Sequence, residues 1–85
     1  MKEDRKRILF ICIGNSARSQ MAEGLLRSMG GNGYEVFSAG TFPIPLRPQA
    51  VNVMSEIGID ISTQHSKSLE QFVNEEFDYV ITVCD

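Results

Sequence analysis

One stretch limits the fold more than any other. Ile8-Leu9-Phe10-Ile11-Cys12 is unbrokenly apolar and is stopped by Gly14-Asn15. A strand with one wet face would alternate apolar and polar residues. A short apolar run without alternation reads instead as a strand buried on both faces. Such strands lie inside parallel sheets, and a parallel sheet needs helices across its faces.

The rest of the chain supplies them. From Ser19 a helical period places Met21, Ala22, Leu25 and Met29 on one face, with Glu23 and Arg27 turned away. Gly30-Gly31-Asn32-Gly33 ends that helix. Tyr34–Ala39 alternates loosely, as an edge strand does. Pro48 suits the first residue of a second helix, and Ala50, Val53, Met54 and Ile57 recur at helical spacing before a C-capping Gly58. Ser68 caps a short helix through Leu69, Phe72 and Val73, and Tyr79–Cys84 is a second strand of the buried type.

The order β-α-β-α-α-β predicts an α/β fold: a three-layer α/β/α arrangement around a parallel sheet of order 2-1-3. Residues 1–7, almost all charged, read as a solvated leader, and 8–85 as a single domain. In that order the connections reverse direction at the first strand. Open α/β sheets place ligands at the C-terminal end of such a strand, and Cys12 stands there.

Composition narrows the function. Eight Lys and Arg against eleven Asp and Glu leave a net charge of −3, which speaks against a nucleic-acid binder. Lys2, Arg5, Lys6 and Arg7 ahead of Ile8–Ile13 imitate the start of a signal peptide. The apolar run is too short for one, and Glu3 and Asp4 dilute the charge. No run approaches the roughly 18 apolar residues of a membrane helix. Cys12 and Cys84 are too few for a disulfide scaffold, so the expected compartment is the cytoplasm. A single histidine, His65, and two distant cysteines predict no metal site. His65 and the acidic stretch Glu70, Glu75, Glu76 and Asp78 read as solvated surface.

The chemistry concentrates in Cys12-Ile13-Gly14-Asn15-Ser16-Ala17-Arg18-Ser19, a C-x5-R-S loop between strand and helix. It lacks the endings of a Walker loop and of a dinucleotide fingerprint. Its parts suit a tetrahedral oxyanion. Consecutive N–H groups of residues 13–19 can form a nest, and the helix start adds partial positive charge. Arg18 offers a planar fork, and Gly14 and Asn15 tolerate positive φ. The same donors favour a thiolate on Cys12, placed for in-line attack on a bound oxyanion. Ser19 can donate to that sulfur.

At these residues the chain resembles the low-molecular-weight protein tyrosine phosphatase superfamily, and within it the thioredoxin-coupled arsenate reductases. Ile8–Ser19 matches the superfamily's strand and phosphate loop. Gln20-Met21-Ala22-Glu23-Gly24, Ser38-Ala39-Gly40-Thr41, Gly58-Ile59-Asp60-Ile61-Ser62, His65-Ser66-Lys67-Ser68-Leu69 and Asp78–Asp85 resemble segments of the reductase branch. The resemblance implies Cys12 as nucleophile, Arg18 as anion clamp, Ser19 as thiolate partner, Asn15 as loop organiser and Cys84 as a second redox cysteine. It implies no bound cofactor, a thioredoxin-type reductant as partner and an arsenate- or phosphate-type oxyanion as substrate. It also implies Glu23 and Asn15 as help for a monovalent cation beneath the loop.

Taken alone, Cys84 is simply a small apolar residue of a strand. If the first and last strands are neighbours about 4.8 Å apart, a Cys12–Cys84 disulfide is within reach. Family members continue into a fourth strand, order 2-1-3-4, and a C-terminal helix. The third strand is therefore expected to be an uncovered edge with an exposed apolar patch, a surface through which two copies could pair. Three functions follow: arsenate reduction through two thiols, phosphomonoester hydrolysis through a cysteinyl-phosphate, and oxyanion binding without turnover. No Asp-Pro general acid of the phosphatase kind occurs in the sequence.

Overall fold

A computed structural model describes residues 5–83. The elements are β1 (Lys6–Cys12), α1 (Arg18–Gly30), a 3-10 turn (Gly31–Gly33), β2 (Tyr34–Gly40), α2 (Pro48–Glu56), a 3-10 turn (Leu69–Phe72) and β3 (Tyr79–Thr82). The three strands form one parallel sheet of order β2-β1-β3, the expected topology. The register sets Cys12 beside Gly40 and Ile11 beside Thr82, so all three strands end at the same rim.

The apolar run does what its composition requires. Ile8 and Phe10 pack with Val36 on one face, against Ala22 and Leu26 of α1. Leu9 packs with Ala39 and Phe72 on the other, against Ile11, Phe37, Leu69 and Phe77. There the short Leu69–Phe72 turn and the following segment form the cover. Phe77 meets Phe37 and Phe72 edge to face, and Phe37 is tilted against Phe72, with centroids 5.6–5.9 Å apart. A third cluster, Ala50, Met54 and Ile61, packs α2 onto Ala17 and Met21 at the start of α1. Gly24 makes that packing close: a Cβ there would stand 2.6 Å from Ile61 Cγ2.

Four expectations need correction. β1 begins at Lys6, and Arg7 is not part of a solvated leader. Its guanidinium stacks between Phe37 and Phe77, 5.0 and 4.8 Å from their centroids. It also pairs with Glu75 at 2.6 Å and Glu35 at 3.3 Å. Asp78 accepts from the Arg7 N–H, so Glu75 and Asp78 are structural partners of β1 rather than loose surface charge. On α1 half of the expected face holds: Met21 and Ala22 pack inward, whereas Leu25 and Met29 are exposed, and the most buried side chains are the polar Ser19, Gln20 and Glu23, beside Gly24. On α2, Ala50 and Met54 are buried, but Val53 and Ile57 face solvent.

The fourth correction concerns β3, which is not of the buried type. Tyr79, Val80 and Ile81 are all exposed, at the edge of the sheet among the described residues. Gly58 caps α2 as expected, with φ +83°. Ser68 accepts from the Glu70 N–H at the head of its turn.

Candidate active site

The loop of residues 13–17 is held from outside. The N–H groups of Thr41, Phe42, Ile44 and Arg47 donate to the carbonyls of Cys12, Ile13, Gly14 and Ser16, at 2.8–3.3 Å. The Asn15 carbonyl accepts from Gln20 Nε2 at 3.0 Å and Ser66 Oγ at 2.7 Å. With the carbonyl edge engaged in this way, the amide edge is what the loop has to offer an anion. Gly40 permits the approach, since a Cβ there would stand 2.6 Å from the Ile13 carbonyl and 2.9 Å from the Asn15 nitrogen. Gly14 has the same kind of purpose. It does not take the positive φ expected of it, but a Cβ would press on Ile44 at 3.2 Å.

Asn15 is the hub. It is fully buried and is the only non-glycine with positive φ, +50°, among the described residues. Its amide oxygen accepts from the Lys67 N–H at 2.8 Å and from Gln20 Nε2 at 3.2 Å. Those two donors set the orientation of the amide. Its Nδ2 then donates to two hydroxyls, Ser19 at 2.7 Å and Ser38 at 3.0 Å. Each hydroxyl, having accepted, has its own proton to give elsewhere. Ser38 gives it to Glu23 Oε1, and Ser19 lies 2.8 Å from Cys12 Sγ. The Asn15 N–H also points at Cys12 Sγ, 2.9 Å away. The sulfur thus meets the Asn15 N–H, which donates to it, and the Ser19 hydroxyl, which is able to.

The expected site residues fall as follows. Cys12, Gly14, Asn15, Ser16 and Ser19 are buried. Ala17 is half-buried, and Ile13 and Arg18 are exposed, Arg18 as the first residue of α1. The loop thus runs directly into a 13-residue helix whose N-terminus favours anions. Cys84 lies outside the described residues. His65 is exposed, as expected.

Sequence reasoning missed the layer beneath the loop. Glu23 is 5% exposed and pairs with Arg27 at 2.5 Å and Lys67 at 3.7 Å. The resemblance implied an external cation near Glu23 and Asn15. The structure sets the Lys67 ammonium of the chain itself against that carboxylate. A signal was available: Ser19, Gln20, Glu23 and Arg27 form one helical stripe, polar throughout. Among the described residues no group of three or more His, Cys, Asp or Glu side chains could hold a metal ion. No helix among them is long and apolar enough to cross a membrane.

Comparison with known proteins agrees with this geometry. The pattern of the family "Low molecular weight phosphotyrosine protein phosphatase" matches residues 7–85. "Arsenate reductase 2" of Staphylococcus epidermidis is 43% identical over 81 residues, 95% of this chain and 62% of that protein. A solved arsenate reductase in its phosphate-binding state superposes with a TM-score of 0.88 at 42% identity, over 93% of this chain and 60% of the other. A thioredoxin-dependent arsenate reductase of Corynebacterium glutamicum superposes with a TM-score of 0.87 at 37% identity, over 100% of this chain and 46% of the other. The chain spans about three fifths of the length of the curated relatives it matches. By sequence and by fold alike, the chain belongs to the low molecular weight phosphotyrosine protein phosphatase family.

Proposed function

We propose that the chain reduces arsenate to arsenite through two thiols, Cys12 and Cys84. The observation that carries this reading is the pair of contacts on Cys12 Sγ, from Ser19 Oγ and the Asn15 N–H, at the base of an anion-type loop. The loop N–H groups of residues 13–19 and the Arg18 guanidinium hold the oxyanion. The relatives named above as arsenate reductases, one of them thioredoxin-dependent, support the choice of substrate and of reductant.

In the first step the Cys12 thiolate attacks As(V). A sulfur–arsenic bond forms, and one arsenate oxygen leaves as water after protonation. Arsenic is still As(V). In the second step the Cys84 thiolate attacks Cys12 Sγ. A disulfide forms, the sulfur–arsenic bond breaks, and its electron pair stays on arsenic, which departs as arsenite. The two thiols lose two electrons and arsenic gains two. A thioredoxin-type dithiol returns the chain to its starting state, so the cycle belongs in the cytoplasm, where thiols are kept reduced.

Cys84→Ser separates this reaction from phosphomonoester hydrolysis, which needs only the loop and Cys12. The variant is expected to lose multiple-turnover arsenate reduction, by about 10³-fold or more, when arsenite release is followed with a dithiol protein as reductant. Full arsenate turnover in that variant would overturn the two-thiol cycle. Turnover of p-nitrophenyl phosphate that survives unchanged, with no arsenite formed by either protein, would favour the phosphatase reading.

A further inference from the structure

The mechanism above uses the N–H groups of the loop and leaves open what aims them. Main-chain N–H groups of the segment 41–47 take the carbonyls of Cys12, Ile13, Gly14 and Ser16. The Asn15 carbonyl is held by side chains from two other places. Gln20 Nε2, on α1, donates to it at 3.0 Å, and Ser66 Oγ at 2.7 Å. Ser66 Oγ also touches the Ile44 carbonyl, so it ties the loop to the segment that braces it.

The direction of the Gln20 amide is forced. The Gln20 main-chain carbonyl only accepts, so it is Gln64 Nε2, 3.0 Å away, that donates to it. The same nitrogen lies 2.7 Å from Gln20 Oε1. That leaves Gln20 Nε2 facing Asn15, where its two protons meet the main-chain carbonyl and, at 3.2 Å, Oδ1. Gln20 is fully buried, so these protons have no exchange with bulk water to fall back on.

A trans peptide is planar, and its C=O and N–H point opposite ways. The Asn15 carbonyl and the Ser16 N–H belong to one peptide. With the carbonyl drawn inward to Gln20 and Ser66, the Ser16 N–H is turned the other way, to the side on which the loop takes an anion. The peptide turned over would aim a carbonyl oxygen at the anion and repel it. We propose that Gln20 and Ser66 are positioning residues for the oxyanion loop, whose grip on the Asn15 carbonyl keeps the Ser16 N–H aimed at the anion. Each molecule whose peptide turns over is lost to binding, and the apparent affinity falls by that fraction.

This assignment rests on the reading of residues 13–19 as the oxyanion cradle. Arsenate turnover has no part in the test, so failure of the two-thiol cycle would leave it intact. The probe is inorganic phosphate, titrated calorimetrically into the reduced protein and followed at the Ser16 amide by 15N NMR. In the parent the Ser16 amide is expected to shift in step with the calorimetric curve. Ser66→Ala removes one donor and is expected to weaken phosphate binding by about three- to tenfold. Gln20→Met removes the other donor, keeps the bulk, and is expected to weaken binding at least as much. Ser66→Thr keeps the hydroxyl and is expected to bind within about twofold of the parent.

A structural role alone would lower the melting temperature but leave the phosphate affinity unchanged well below the melt. An affinity within about twofold of the parent, in Ser66→Ala or in Gln20→Met, overturns the assignment of that residue. An equal loss in Ser66→Ala and Ser66→Thr also overturns it, since the hydroxyl would then not matter. If Ser66→Ala does not fold, Ser66→Val against Ser66→Thr, near-equal in shape, reads the hydroxyl alone. Both side chains hold one carbonyl, so where the Gln20 variant does not fold the Ser66 variants decide. A parent whose Ser16 amide does not respond to phosphate overturns the proposal outright.

Discussion

Replacing Cys12 with serine is expected to remove arsenate turnover, by about four orders of magnitude or more, while leaving the fold in place. The hydroxyl is smaller and keeps the same two partners, the Asn15 N–H and Ser19 Oγ, so no buried donor is orphaned. What it cannot supply at neutral pH is an anionic nucleophile, nor a sulfur for Cys84 to attack. Phosphate or arsenate binding should survive, because the loop amides and Arg18 are untouched. The checks are arsenite release for turnover and a thermal melt with and without phosphate for fold and binding. A Cys12→Ser protein that still released arsenite at a tenth of the parent's rate would remove Cys12 from the chemistry.

The second large effect is on stability. Asn15→Ala is expected to cost about 4 kcal/mol, a large share of the roughly 5–15 kcal/mol that holds a small domain folded. Two contributions add. Alanine at φ +50° costs about 1 kcal/mol, because it lacks the short polar side chain whose local hydrogen bonds let asparagine take this angle. The rest comes from partners left buried: Ser19, Ser38, the Lys67 N–H and Gln20 all lose a bond to the Asn15 side chain. Asn15→Gly separates the two, since glycine accepts the backbone angle but supplies no amide. It should recover about 1 kcal/mol and no more. Urea unfolding of the three proteins measures this, and a loss below 1 kcal/mol in both variants would mean the hub is not one.

How much of this was legible depends on whether a feature is local. β1 and the loop were legible because an unbroken apolar run ending at Gly14-Asn15 has few structural solutions. The C-cap at Gly58 and the turn at Ser68 were legible for the same reason: φ and capping are decided by adjacent residues. The inner face of α1 was not. Apolar periodicity chose Leu25 and Met29, but the helix turns Ser19, Gln20 and Glu23 inward, because the loop needs polar partners more than the helix needs apolar cover. Arg7 was misread because its partners, Phe37, Glu75 and Phe77, are remote in sequence and meet only across the sheet. β3 reads as buried because Tyr79-Val80-Ile81 is apolar, and composition does not say whether a strand has neighbours on both sides. In the site, Cys12, Asn15, Arg18 and Ser19 came from one continuous motif. Ser38, Ser66 and Lys67 came from two other segments that only the fold brings beneath it.

In the proposed cycle one arsenate consumes two thiols of one chain. The measurement that tests it most directly is a single-turnover thiol count. The protein is reduced, freed of reductant, mixed with arsenate, quenched with an alkylating agent and weighed intact. Both alkylation sites, Cys12 and Cys84, are expected to disappear together, with one arsenite released per chain, and phosphate in place of arsenate to spare both thiols. Two thiols still open to alkylation after arsenate, in a folded chain, would contradict it.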